Sequence, residues 1–179
     1  MRVLVAYASR HGATQGIAER IAETLRSAGL EADVRPAHSI KDLATYDAFV
    51  IGSAAYMFHW LKDATQLVRR NRSVLRERPV WLFSSGPVGS EPLNKDGVDQ
   101  KVAAVPREMP ELQELVSARG HRVFFGVYLR DRKPSGLAER FMSLMPAMEG
   151  LPEGDFRDWP EIDAWAIEIA RELAGVPVG

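Results

Sequence analysis

The sequence predicts an α/β fold in which a doubly wound parallel sheet of five strands is covered by helices on both faces. Short apolar runs alternate with segments whose apolar residues recur at helical spacing, which is typical of a parallel sheet buried on both sides. The chain has 179 residues, enough for a sizeable core, so we expect a single domain over residues 1–179. Its composition, 46% hydrophobic and 26% charged, is that of an ordinary globular protein.

The first half of the chain supplies three of the strands and two helices. The predicted strands are residues 3–8, 31–35 and 48–52, and the predicted helices are residues 14–28 and 61–70. The second strand is polar and is followed by Pro36, which favours an edge position in the sheet. Gly29 ends the first helix.

The second half continues the alternation. Strands are predicted over residues 80–84 and 122–128, with a helix between them that begins near Pro110 and has Gly120 as its C-cap. A last helix begins at Asp158, where Asp158 and Glu161 have capping-box spacing. The irregular stretches, residues 86–110 and 129–157, have the length of loops that usually carry function.

Composition and charge exclude several classes of function. The net charge is −1, so no strong field favours nucleic acid. There is no cysteine, which removes disulfides, iron–sulfur clusters and thiol catalysis, and with only four scattered histidines we expect no metal site. We find neither a signal peptide nor an apolar run of membrane-spanning length, so we expect a cytoplasmic protein.

The loop after the first strand has the residue types that hold a phosphate. It consists of Ser9, Arg10, His11, Gly12, Ala13 and Thr14. It matches neither the dinucleotide fingerprint nor the Walker loop, but it offers hydroxyls, a tight glycine turn and the positive end of a helix dipole. Those parts suit one terminal phosphate monoester. The alternative is a plain turn with Thr14 as the N-cap of the helix.

A second candidate segment follows the third strand and consists of Ala54, Ala55, Tyr56, Met57, Phe58 and His59, with Trp60 next. In a sheet of strand order 2-1-3-4-5, strands 1 and 3 flank the switch point where ligands bind. The aromatic residues there can wall a flat ring system. Alternatively, Phe58 and Trp60 pack the next helix against the sheet, and His59 caps that helix.

A third candidate segment follows the fourth strand and includes Ser85, Gly86, Pro87 and Val88. Its small residues and free backbone groups can approach the edge of a planar ligand closely. The alternative is an ordinary turn. All three segments lie at the carboxyl ends of neighbouring strands, and this coincidence favours a common binding site.

These motifs resemble the flavodoxin-like FMN-binding family, whose phosphate loop reads Ser/Thr-x-Thr/Asp-Gly-x-Thr, with His11 here at the usual Thr or Asp position. Within it, the chain is most similar to the menaquinone-dependent protoporphyrinogen oxidase branch. The matching residues are Ser9-Arg10, Gly12-x-Thr14, Val50-Ile51-Gly52 with His59 downstream, Arg140-Phe141-Met142 and Asp158-Trp159.

The resemblance implies a flavin enzyme. The first loop would hold the FMN phosphate, the second and third segments would flank the ribityl chain and the ring, and the flavin would carry the redox chemistry. No side chain stands out as an essential acid or base, and His59 is the one candidate. The partner would be a small-molecule redox substrate or a quinone.

One departure from that branch bears on the partner. Residues 141–158 are short, methionine-rich and poor in positive charge, which argues against membrane association and a quinone partner and favours a helix packed on the core.

Two other functions stay open. A flavodoxin-type electron carrier would bind the same flavin and a redox protein partner, although the weak net charge and the absence of an aromatic residue in residues 84–95 depart from that type. A flavin-free interaction module would correspond to the plain structural interpretation of all three segments.

Overall fold

The computed structural model describes residues 1–89, 91–129 and 152–175. Its main sheet contains β1 (Arg2–Ala8), β2 (Glu31–Pro36), β3 (Ala48–Tyr56), β4 (His59–Trp60), β5 (Val80–Ser85) and β6 (Gly120–Phe124). Five of these strands run parallel in the order β2-β1-β3-β5-β6, and β4 pairs antiparallel with β3. The predicted fold class and strand order are therefore confirmed, and β2 lies at the edge as expected.

Helices cover both faces of this sheet. They are α1 (Ala13–Ser27), α2 (Lys62–Arg70), α3 (Arg72–Arg76), α4 (Gln100–Ala103), α5 (Met109–Val116) and α6 (Trp159–Leu173), with one 3-10 turn at Ala37–Ser39. Helices α1 and α6 contribute to one core cluster, and α2, α3 and α5 contribute to the other. A separate two-stranded ribbon joins β7 (Val127–Tyr128) to β8 (Gly154–Asp155).

The two cores follow from the alternation of side chains along β1. Val3 and Val5 belong to the cluster that includes α1 and α6, whereas Leu4 and Ala6 belong to the opposite cluster. All four side chains are buried, as expected for a central parallel strand covered on both sides. The strands β1, β3 and β5 are therefore held rigidly from both faces, and their carboxyl ends meet at one edge.

Three aromatic rings attach α6 to the sheet. Phe83 of β5, Phe124 of β6 and Trp165 of α6 contact one another with ring centroids 5.6 to 6.2 Å apart in tilted or T-shaped arrangements. Phe83 lies over Gly52 of β3, where a Cβ atom would come within 2.0 Å of its ring. The glycine therefore provides the space that the ring occupies.

The structure corrects several predicted boundaries. The third strand is longer than predicted because it continues into a hairpin with β4. The strand predicted over residues 122–128 is interrupted, since Gly126 donates its N–H to Pro87 instead of continuing the sheet. Gly120 is not the C-cap of α5; Ser117 takes the left-handed conformation there, and Gly120 begins β6.

Three further points concern two short helices, the cap of α6 and the segment before it. Helices α3 and α4 were not predicted. The cap of α6 is confirmed, because the Asp158 carboxylate accepts the N–H of Glu161 at 3.0 Å. The Arg140-Phe141-Met142 motif and the methionine-rich stretch up to residue 151 lie outside the described residues.

We expect Gly52→Ala to destabilise the protein by about 1–3 kcal/mol, because a new methyl group collides with the buried ring of Phe83. Urea unfolding followed by circular dichroism measures this. The matched control is Gly120→Ala, also in a strand, where the added Cβ would meet Trp81 at an ordinary 3.7 Å. Equal stabilities of the two variants would contradict the proposed contact.

Candidate functional site

The first candidate loop turns sharply at Gly12. This residue has a φ of 83° and forms the N-cap of α1, while its N–H donates to Ser9 Oγ at 3.0 Å. An added Cβ at Gly12 would meet no atom within 4 Å, so the glycine is required by its conformation and leaves open space beside the turn. Thr14 is fully buried within α1 and is not its N-cap, so that part of the plain-turn alternative is wrong.

In the described part of the chain, no side chain caps the positive end of α1. Its N-cap is a glycine, and its first turn contains no acidic residue. Thr14 Oγ1 is the one buried side-chain polar atom in the described part of the chain that lacks a hydrogen-bond partner. Such an atom is costly to leave unpaired. An anion with several acceptor oxygens fits this combination of open amides, unpaired hydroxyl and free space.

The second candidate segment forms a tight hairpin. Strand β3 continues through Ala54 and Ala55 to Tyr56, and the chain returns as β4 after two residues with positive φ, Met57 at 49° and Phe58 at 63°. Two positive φ values are what a type I′ turn requires, but non-glycine residues adopt them at a cost of about 1–2 kcal/mol each. The side chains of Met57 and Phe58 are 64% and 51% exposed at the tip.

The sequence predicts one shared role for Trp60 and Phe58, but the structure places them in different environments. Trp60 is buried and its indole N–H donates to Ser84 Oγ at 2.7 Å, so it is a core residue as the alternative interpretation held. Phe58 is exposed. His59 does not cap α2: it lies in β4, and the N-cap of α2 is Leu61 without a side-chain bond.

The three predicted segments meet at the carboxyl edge of the sheet. The guanidinium of Arg10 lies 4.7 Å from the centre of the Tyr56 ring, which joins the first segment to the second. Ala54 pairs in register with Ser85, and a Cβ at Gly86 would lie 3.4 Å from the Ala55 methyl group. The second and third segments are therefore in contact too. Pro87 and Val88 continue from there, both half-buried.

A cleft of about 420 Å³ opens on the β2 side of the first loop. Its walls include Ser9 and Arg10 from that loop, His38 after β2, and Lys62 and Asp63 at the start of α2. None of the residues from Ala54 to His59 or from Ser85 to Val88 lines it. The cleft therefore shares the loop end of the candidate site but lies away from the segments predicted to flank a ring.

Sequence reasoning missed two charged residues. Glu108, just before α5, accepts the backbone N–H of Trp60 at 2.6 Å and contacts His59 Nδ1 at 2.9 Å. Arg157 packs beside the start of α1, with Nη1 3.5 Å from the carbonyl of Ala13, and forms an ion pair with Asp155. Both come from the stretches predicted as irregular, and no spacing signal in the sequence relates them to the site.

A hydrogen-bonded chain runs below the hairpin. Ser84 Oγ accepts from the Trp60 indole and lies 2.8 Å from Nε2 of His121 on β6. Burial lowers the pKa of His121 from 6.5 to about 4, so this imidazole is neutral near pH 7. The Trp60 indole can only donate, so Ser84 Oγ accepts its hydrogen and makes its second hydrogen bond with Nε2 of the neutral His121.

Two further features are absent from the described ranges 1–89, 91–129 and 152–175. Histidine, aspartate and glutamate side chains do not gather there in threes at metal-binding distance. None of the helices in those ranges has the length and apolarity of a membrane span.

Comparison with known sequences identifies one family. The sequence model of the family described as "Flavodoxin domain" matches residues 4–134. Among curated proteins, the protoporphyrinogen IX dehydrogenase [quinone] of Escherichia coli K12 is 29% identical over 94 residues, which are 51% of this chain and 52% of that protein. The matched stretch thus spans about half the length of this curated relative.

Comparison with solved structures gives the same fold. A flavodoxin from the domain Archaea has a TM-score of 0.58 at 17% identity, covering 97% of this chain and 99% of its own. A cysteine-to-serine mutant of a Pseudomonas aeruginosa flavodoxin has a TM-score of 0.61 at 17% identity, covering 98% and 100%. The rubredoxin:oxygen oxidoreductase of Desulfovibrio gigas has a TM-score of 0.60 at 13% identity, with 97% of this chain but 36% of that protein covered.

We expect the stability of the protein to fall as the pH drops from about 6.5 towards 4, because His121 of the unfolded chain binds a proton that the folded chain excludes. Between pH 7 and pH 5 the loss is about 2 kcal/mol. Urea unfolding at both pH values measures it. His121→Gln keeps a hydrogen-bonding partner for Ser84 and should flatten the loss of stability at low pH. An unchanged loss between pH 7 and pH 5 in the variant would contradict the assignment.

Proposed function

Because the chain belongs to the flavodoxin domain family, we propose that it binds FMN and acts as an FMN-dependent oxidoreductase. The observation that supports this most directly is the start of α1, where an uncapped helix end, a left-handed glycine and the unpaired hydroxyl of buried Thr14 lie together. A terminal phosphate monoester supplies the charge and the acceptor oxygens that these groups lack.

In this proposal the phosphate is held by the first loop. Backbone N–H groups at the start of α1 donate to the phosphate oxygens, and the hydroxyl of Thr14 adds a further donor. Ser9 Oγ holds the turn by accepting the N–H of Gly12. His11 and Arg10 come from the same loop, and a protonated His11 would favour the dianion.

The other two segments would flank the ribityl chain and the ring. The residues concerned are Ala54, Ala55, Tyr56, Met57, Phe58 and His59 on one side and Ser85, Gly86, Pro87 and Val88 on the other. When bound, FMN supplies two-electron redox chemistry that no side chain of this chain offers. The exposed side chains of Met57 and Phe58 offer an apolar surface that would exclude water from one side of the ring.

The candidate reaction is the oxidation of protoporphyrinogen IX with a quinone-type acceptor. It is supported by the name of the curated relative, which this chain matches at 29% identity over about half its length. The exposed apolar tip of the hairpin suits a large substrate with much apolar surface. The net charge of −1 gives less steering towards a basic protein partner than an electron carrier uses.

An absorption spectrum of the purified protein, taken before and after adding FMN and after heat release, tests the proposal. Flavin bands, with FMN identified in the released fraction, support it, and turnover of protoporphyrinogen with menadione then identifies the enzyme. If the protein binds flavin but does not turn over protoporphyrinogen, and a redox protein reduces the bound flavin, the protein is an electron carrier. Failure to take up FMN refutes the proposal and leaves an interaction module.

We expect Gly12→Val to abolish retention of FMN, since the branched side chain would fill the space beside the turn and strain its left-handed backbone. Fluorescence titration with FMN measures the affinity. The matched control is Gly29→Val, which has a φ of 87° and equally open surroundings in the turn after α1. Gly29→Val should lose a similar amount of free energy of unfolding and keep full affinity for FMN. Equal FMN affinity in both variants would refute the phosphate-loop assignment.

We expect Phe58→Ala to weaken FMN binding with little change in the free energy of unfolding, because its side chain is half exposed. Trp60→Phe removes a buried donor to Ser84 and should cost about 1–3 kcal/mol of stability. FMN titration and urea unfolding of both variants separate the two roles. Normal FMN affinity of Phe58→Ala would show that Phe58 does not wall the ring.

A further inference from the structure

The hairpin between β3 and β4 is held in a costly conformation by its neighbours. Met57 and Phe58 both have positive φ, yet their side chains are exposed and contribute little packing. Two contacts from the segment before α5 hold the hairpin: the N–H of Arg107 donates to the carbonyl of Phe58 at 2.9 Å, and Glu108 accepts the N–H of Trp60 at 2.6 Å. Backbone strain that a neighbouring segment maintains by hydrogen bonds is typical of functional sites.

Glu108 uses its two carboxylate oxygens for two different donors. Oε1 accepts the backbone N–H of Trp60, and Oε2 lies 2.9 Å from Nδ1 of His59. The Glu108 side chain is only 12% exposed, whereas that of His59 is 55% exposed. A largely buried carboxylate therefore fixes one nitrogen of an imidazole whose ring faces solvent at the edge where the three candidate segments meet.

This arrangement selects one tautomer of His59. A carboxylate has no proton to donate, so Nδ1 of a neutral His59 must carry the hydrogen, and Nε2 keeps its lone pair. In the described part of the chain, no residue forms a hydrogen bond with that Nε2. The exposed nitrogen is therefore a proton acceptor.

We propose that Glu108 is a positioning residue that holds His59 as the Nδ1–H tautomer, so that Nε2 of His59 accepts the proton released when an organic donor is oxidised at this site. The inference rests on the proposed function. A donor DH₂ that becomes D loses a hydride, which carries the C–H electron pair, and a proton: bound FMN would supply the acceptor for the hydride, and Nε2 of His59 would take the remaining proton. Charge and atoms balance when His59 later releases that proton to water.

The variant Glu108→Gln tests the tautomer without removing the hairpin contact. The N–H of Trp60 still needs an acceptor, so the amide oxygen of the new glutamine takes the place of Oε1. Its NH₂ group then faces Nδ1 of His59. Nδ1 must now accept, and the proton moves to Nε2. The matched control is Glu111→Gln, the same chemical change at an exposed carboxylate of α5 that pairs with Arg69.

Nitrogen-15 NMR of the imidazoles distinguishes the two tautomers, at about pH 8.5 where an ordinary histidine is neutral. His59 is assigned from the loss of its signals in His59→Gln. We expect Nδ1–H in the wild type and in Glu111→Gln, and Nε2–H in Glu108→Gln. An Nε2–H tautomer in the wild type, or an unchanged tautomer in Glu108→Gln, overturns the inference. This measurement needs neither flavin nor substrate.

Stopped-flow reduction of the FMN-loaded protein by protoporphyrinogen IX tests the proton transfer. With every variant saturated with FMN, we expect rates lower by about 10²-fold in both Glu108→Gln and His59→Gln, with no further loss in the double variant. An unchanged rate in His59→Gln overturns the inference while FMN binding stands. Absence of flavin or of reduction in the wild type refutes the proposed function instead, and the NMR result still decides the role of Glu108.

Discussion

The indole of Trp60 donates a hydrogen bond to Ser84 on β5, and its backbone N–H donates to Glu108 ahead of α5. These two bonds join the short strand β4 to the central sheet and to the helix behind it. Because β4 is only two residues long, its pairing with β3 alone would not hold a turn with two strained residues. The position of the hairpin, and of the residues that it contacts at the carboxyl edge, therefore depends on the bonds that Trp60 makes with its backbone and its side chain.

The candidate site combines two environments that differ in polarity. At the start of α1, the free helix end and the unpaired hydroxyl of Thr14 favour an anion. At the hairpin, exposed Met57 and Phe58 favour a flat apolar group. A molecule with a phosphate at one end and a ring system at the other, such as the proposed FMN, would satisfy both. Neither environment alone would distinguish it from a simple phosphate or a simple aromatic compound.

Local sequence patterns predicted the main strands and the sharp turn after β1, because each depends on residues close together in the chain. The glycine turn after β1 and the cap of α6 at Asp158 are local devices of this kind. The hairpin was missed because its turn lacks the Gly or Asn that normally signals positive φ. Gly120 was misassigned because Ser117, a residue with a Cβ atom, adopted the left-handed conformation instead.

The sequence by itself determined the doubly wound sheet and the three segments at its carboxyl edge, because apolar periodicity and turn residues act over a few neighbouring positions. The tertiary structure alone decided that Trp60 is core while Phe58 is exposed, and that Glu108 binds His59 across 49 positions of chain. Such pairings arise from how packed elements meet in space. A carboxylate on one loop and an imidazole on another leave no pattern in the order of residues, because the distance that joins them is created only by folding.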